Sequence, residues 1–210
     1  MTGTGRPFVL GLTGSAGMGK TTAAAMLREA GCAVWDADAA VHRLYAPGGA
    51  AVPLIAALRP DAVREGAVDR GRLRAALTAD PALWSRIEAA VHPLVAQDRE
   101  RFLAGLQTGG VAVLEVPLLY ETGLDALCDG VAVVSAPAAV QRARLRARGL
   151  EEAAIEALLA RQMPDAEKRA RADWVIPGTT FEAARQAVQD ILAAIAARQA
   201  ARAQGKAGER

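Results

Sequence analysis

The chain has 210 residues, 52% of them hydrophobic but only 4% aromatic, so its core must be built from Ala, Val, Leu and Ile. A formal charge of +2 excludes the basic excess of a nucleic-acid binder, no apolar run reaches transmembrane length, and Cys32 and Cys128 belong to no C-x-x-C pair. The expectation is a cytoplasmic α/β protein with reduced thiols and neither a nucleic-acid nor a membrane partner.

After a loose tail to Pro7, the apolar run Phe8–Thr13 predicts a strand. Gly14-Ser15-Ala16-Gly17-Met18-Gly19-Lys20-Thr21 follows and fits G-x-x-x-x-G-K-[ST], a phosphate-binding loop. A helix is predicted from Lys20 to about Ala30, with Gly31 as its stop. In that context the backbone N–H groups of the glycine-rich turn and of the helix N-terminus point at one anion. Gly17 and Gly19 permit close backbone approach. Lys20 then reaches the terminal phosphates, and the Thr21 hydroxyl coordinates magnesium.

A second apolar segment, Ala33-Val34-Trp35, ends in Asp36-Ala37-Asp38. Phosphoryl transfer to an alcohol needs positioning, charge neutralisation and a carboxylate to take the hydroxyl proton. Asp38 is the candidate for that base and Asp36 its companion; the rival role for either is to cap the next helix. From Ala39 to Gly110 no strong strand is found. Breaks fall at Pro47-Gly48-Gly49, Pro60-Asp61 and Glu65-Gly66. Asp80-Pro81 reads as N-cap and first position of a helix to about Val91, which His92-Pro93 should kink or break before a further helix to about Leu106. This helical insertion is a plausible place for a bulky acceptor.

Val111–Val116 predicts a buried strand, within which Glu115 is costly unless paired. It is a candidate for holding magnesium through water, against a structural pairing. Val131–Val134 predicts the next strand. In the helix that follows, Arg142 and Arg146 share one face while Arg144 and Arg148 share roughly the opposite one. Helix continues from Glu151 to Gln162, a basic stretch runs from Asp165 to Arg171, and Trp174–Ile176 predicts the last strand. Thr179-Thr180-Phe181-Glu182 fits a capping box with Thr179 as N-cap, opening a closing helix that is expected to fray from about Arg198.

Five strands alternating with helices behind a phosphate loop predict a P-loop NTPase fold: α/β, a five-stranded parallel sheet flanked by helices, with a helical substrate-binding insertion and a lid. The expected partition is a nucleotide-binding core (residues 1–38, 111–137 and 172–198), a substrate domain (39–110), a lid (138–171) and a tail (199–210). The chain contains no Asn, so it has no N-K-x-D guanine motif and a guanine-nucleotide switch is disfavoured. Size, insertion, acidic pair and Arg cluster favour a small-molecule kinase. A phosphate-binding module without catalysis is the weaker reading.

Several stretches together resemble the dephospho-coenzyme A kinase family. They are Gly14 to Thr22, Gly31 to Asp38, Tyr45-Ala46-Pro47-Gly48, Val91-His92-Pro93-Leu94, Val116-Pro117-Leu118-Leu119-Tyr120-Glu121, Gln162-Met163-Pro164 and Lys168 to Asp173. The resemblance spans about Val9 to Ile195. It implies ATP-dependent phosphorylation of the ribose 3′-hydroxyl of dephospho-coenzyme A, with ATP and Mg2+ as cofactors. By residue, it implies Asp38 as general base, with Lys20 and Arg144 as further catalytic residues. It implies nucleotide binding by Gly14, Ala16, Gly17, Met18, Gly19, Lys20, Thr21, Thr22, Arg144 and Arg148. Asp36, Asp38, His92, Leu118 and Glu121 are implied at the acceptor, and Thr21 at the metal with Asp36 or Glu115 through water. The expected assembly is a monomer or weak homo-oligomer. The alternative is another small-molecule kinase acting on a nucleoside, nucleotide or sugar acid. This sequence departs from the family in Ser15-Ala16-Gly17-Met18, where Gly-Ile-Gly-Ser is usual, in lacking an acid after Arg148, and in Thr78, where an aromatic is common.

Overall fold

The structure, a computed structural model, describes residues 6–106 and 109–208. Phe8–Thr13 (β1) is buried at every position, as a strand covered on both faces requires. In chain order follow Lys20–Glu29 (α1), Ala33–Asp36 (β2), Ala37–Tyr45 (α2), Val52–Leu58 (α3), Val63–Arg64 (β3), Ala67–Val68 (β4), Arg70–Ala79 (α4) and Pro81–Ala104 (α5). Val111–Glu115 (β5), Gly130–Ser135 (β6), Ala138–Ala147 (α6), Glu152–Leu159 (α7), Asp165–Arg171 (α8), Trp174–Pro177 (β7) and Phe181–Gly208 (α9) complete the chain.

The main sheet has the order β2-β5-β1-β6-β7. β1 runs parallel to β5, from Phe8 opposite Val111 to Leu12 opposite Glu115, and parallel to β6 on its other side. The crossover from β1 to β2 thus lies on one side of β1, and the later crossover from β5 to β6 passes to the other. Its carboxyl end is where a doubly wound sheet opens a crevice for ligand.

The chain divides into two compact units, residues 1–34 with 106–210, and residues 35–105. The core of the first unit gathers Leu10, Leu12, Leu27, Val113, Val134, Ile176, Ile191 and Ile195 between sheet and helices. The core of the second gathers Ile55, Leu73, Leu83, Ile87 and Val91. In the second unit Asp98 accepts hydrogen bonds from Trp35 Nε1 (2.7 Å) and from Arg43 (2.6 Å), which seats α2 on α5.

Three local expectations are corrected. α5 runs unbroken through Pro93. Proline removes the hydrogen bond to the carbonyl four residues earlier. The buried stripe of Leu83, Ile87 and Val91 nevertheless continues into Leu94 and Val95 across it, and this packing keeps the helix going. Glu65-Gly66 does separate helical pieces as expected, as the two-residue turn of a β3–β4 hairpin with φ of 50° and 74°. The closing helix does not fray near Arg198: its Ala-rich sequence stays helical to Gly208. Its cap is Thr180 rather than Thr179, since the Thr180 hydroxyl accepts from Ala183 N–H (3.2 Å).

The turn after β5 is fixed by an ion pair whose ammonium is buried. Lys168 is fully buried, and its Nζ lies 2.9 Å from Glu121 Oε1 and donates to the Pro117 carbonyl (3.0 Å). Glu121 also accepts from Met163 N–H (2.7 Å). Burial pushes the Glu121 carboxyl up, but the Lys168 ammonium and the Met163 amide outweigh it and hold the group below its ordinary 4.5. A carboxyl depressed in the folded state stabilises above its unfolded value and loses that contribution as pH falls through the folded one. Glu121→Gln should therefore cost about 3 kcal/mol at neutral pH, because it strands a buried ammonium. Its deficit against the parent should shrink as pH falls below 4.5. Denaturant melts across pH check this; a deficit independent of pH would refute it.

Tyr120, in the same turn, is buried, and its hydroxyl has no hydrogen-bond partner among the described residues. Burial pushes its pKa up to about 12, against the opposing pull of Arg171, whose guanidinium lies 4.2 Å over the ring. An orphaned buried hydroxyl is a net cost, whereas the ring face is retained by phenylalanine. Tyr120→Phe should raise the melting temperature by about 2–4 °C in calorimetry.

Candidate active site

The phosphate loop joins β1 to α1 at the carboxyl end of the central strand. Gly19 caps α1 at a φ of 101°, which an L side chain rarely adopts. Among the described residues no side chain caps this helix, and no acid occupies its first turn. The first-turn amides and the positive end of the helix dipole are therefore left for an external anion.

A loop that turns amides inward turns carbonyls outward, and those carbonyls are taken up by side chains from distant parts of the first unit. Gln141 Nε2 donates to Ala16 O (2.8 Å), while Gln162 Oε1 accepts from Ala16 N–H (3.1 Å). Arg144 Nη1 donates to Gly17 O (3.2 Å) and Met18 O (3.3 Å), and its Nη2 donates to Gly178 O (2.6 Å). Met18 does not obstruct the cradle. Its side chain turns down into the core, and its sulfur accepts from Ala136 N–H (3.1 Å). The turn after β7 closes against the loop so tightly that a Cβ on Gly178 would lie 2.0 Å from Met18 O.

These elements bound a pocket of ≈ 290 Å³. Gly17, Gly19 and Thr22 line it from the loop side, Arg144 from α6 and Arg148 from its C-cap, and Gly178, Thr179, Thr180 and Phe181 from the junction of β7 with α9. Phe181 is 51% exposed, with Arg185 4.8 Å over its ring.

The three arginines of α6 and Arg148, its C-cap, separate as helical spacing requires. Arg142 and Arg146 pair with Glu152 and Glu156 of α7. Arg144 and Arg148 both reach the pocket, but in different states. Arg144 is committed to backbone carbonyls; Arg148 is exposed and makes no side-chain bond among the described residues.

Lys20 Nζ lies 2.9 Å from Glu115 Oε1, and Arg28 Nη2 lies 3.4 Å from Oε2 of the same carboxylate. The acid inside the apolar strand is thus paired twice. Thr21 and Thr22 are exposed on the first turn of α1, and neither side chain is bonded to another described residue. Glu121, implied at the acceptor, is spent on Lys168 and Met163. Leu118, beside it, is 37% exposed.

In the second unit, Asp36 is the N-cap of α2, its Oδ1 accepting from Asp38 N–H (2.8 Å) and Ala39 N–H (3.1 Å). Asp38 is exposed, and its carboxylate is bonded to no other described residue. His92 is exposed on α5, with Nε2 3.5 Å from Glu88 Oε1.

Sequence reasoning missed Gln141, Gln162, Arg28, Lys168 and the Gly178–Phe181 wall as parts of the site. Lys168 had a signal: only three of the 25 basic residues are lysine, at 20, 168 and 206, and an arginine-rich chain that keeps a lysine has a use for a compact ammonium.

Comparison with known proteins agrees with this geometry. The model of the dephospho-CoA kinase family matches residues 8–183. A dephospho-CoA kinase of Cereibacter sphaeroides is 57% identical over 191 residues, covering 90% of this chain and 96% of that protein. One of Jannaschia sp. is 54% identical over 185 residues, covering 88% and 95%. The solved structure of TT1252 from Thermus thermophilus superposes with a TM-score of 0.80 at 34% identity, covering 90% of this chain and 97% of that one. No helix among the described residues is long and apolar enough to cross a membrane. With its phosphate loop built as described and relatives matched along nearly their whole length, this chain belongs to the dephospho-CoA kinase family.

Proposed function

We propose that the chain transfers the γ-phosphoryl group of ATP to the ribose 3′-hydroxyl of dephospho-coenzyme A, giving coenzyme A and ADP. The observation that carries this reading is the phosphate loop with its open first-turn amides, flanked by a pocket into which Arg148 projects uncommitted. The triphosphate lies along the Gly17–Thr22 amides, with Lys20 on its terminal oxygens and Arg148 closing from the 138–171 segment as a lid. The base lies against Gly178–Phe181. Arg144 acts through the loop: its donors hold Gly17 O and Met18 O, so that the neighbouring amides face the nucleotide.

The residues present fit magnesium. Among the described residues no three or more His, Cys, Asp or Glu gather into a cage. Magnesium bound with nucleotide usually takes one or two protein ligands, phosphates and water. The Thr21 hydroxyl would be such a ligand, whereas Asp36 is occupied as a helix cap and Glu115 is already neutralised. When bound, the ion neutralises phosphate charge.

The transfer forms a bond between the 3′-oxygen and the γ-phosphorus and breaks the one between that phosphorus and the leaving oxygen of ADP. The hydroxyl proton passes to Asp38, whose carboxylate no cap or ion pair occupies among the described residues. The protein works in the cytoplasm as a monomer or weak homo-oligomer.

An acceptor panel with ATP and magnesium, read by product mass, tests the substrate. A gain of one phosphate is expected on dephospho-coenzyme A alone; phosphorylation of a nucleoside or sugar acid in its place would reject the assignment. Asp38→Asn should bind ATP as the parent does and lose about 10²–10⁴-fold in turnover. Parent-like turnover in that variant removes Asp38 as the base.

A further inference from the structure

Glu115 is 3% exposed, and a carboxylate so placed is tolerated only with a counter-ion. Its counter-ions differ in kind. Lys20, two turns earlier on α1 than Arg28, belongs to the phosphate loop and is 14% exposed in its side chain. Arg28, in the last turn of α1, is 44% exposed and reaches the second carboxylate oxygen from outside the loop. Under the function proposed above, on which this inference rests, Lys20 must give its donors to phosphate oxygens. If Lys20 were the sole partner, its departure would strand a buried charge, and that cost would be charged against every nucleotide bound.

We propose that Arg28 is a positioning residue for phosphoryl transfer, the cation that stays on Glu115 while Lys20 moves between this carboxylate and the nucleotide. Arg28 touches no substrate. It acts by keeping Glu115 compensated in both positions of Lys20, so the lysine is stored next to its place of work at little cost. A guanidinium suits the task because it cannot lose its proton and presents several donors to one carboxylate. A rival role, favourable charge at the carboxyl end of α1, affects helix stability alone.

The test is ATP binding to the full chain by calorimetry, for the parent, Arg28→Gln, Glu115→Gln and the double variant, with melting temperatures to confirm folding. Arg28→Gln should weaken ATP binding by about five- to tenfold where Glu115 is present. Added to Glu115→Gln it should change binding by less than about twofold, because a neutral side chain at 115 no longer retains Lys20. Unchanged ATP binding in Arg28→Gln, or an equal loss in both backgrounds, overturns the proposal, the second outcome being what a purely helix-stabilising arginine gives. A parent protein that binds no ATP overturns the nucleotide reading itself, and this inference with it. A parent that binds ATP, with no dependence on residue 115, overturns this inference alone.

Discussion

A backbone loop that presents N–H groups to an anion must present carbonyls to the protein, and the first unit is arranged around that constraint. Buried carbonyls without partners are costly. Ala16, Gly17 and Met18 find theirs in Gln141 and Arg144, both on α6. The same guanidinium reaches Gly178, so the loop, α6 and the start of α9 are held at one point by one side chain. Lysine would not serve there, because a flexible point charge lacks the planar fork that satisfies three carbonyls together.

The charges around the loop follow a division of labour. Lys20 and Lys168 each end on a carboxylate at or just beyond the end of β5, Glu115 and Glu121. Lys168 has no exposure at all and two further constraints from Pro117 and the Met163–Glu121 bond. It is a staple. Lys20 is more open and stands on a loop built to receive an anion. Similar ion pairs thus perform different tasks, distinguished by burial and by what else competes for the ammonium.

Much of this was legible in the residues. β1, β5 and β6 show as apolar runs, the loop shows as a motif between strand and helix, and helical spacing alone separated Arg142 and Arg146 from Arg144 and Arg148. What stayed hidden depends on partners remote in sequence. Gln141 and Gln162 are neutral residues 125 and 146 positions from Ala16, and no local pattern marks them. Glu121 and Asp36 look alike as acids after strands, yet one is stapled and the other caps a helix; polarity says that a partner exists, not which one. Pro93 reads as a break until the packing on both sides of it is known, because burial along α5 outweighs a lost hydrogen bond.

Met18 has a consequence of its own. Its side chain shares the core with Val134 and Ile176 while its backbone forms part of the phosphate cradle. The cradle is therefore not a surface loop that opens at low cost; it belongs to the same cooperative unit as the central strands. On heating, the ability to hold a nucleotide and the integrity of the sheet are lost in one event, and a packing defect in the interior is felt at the phosphates before the protein unfolds.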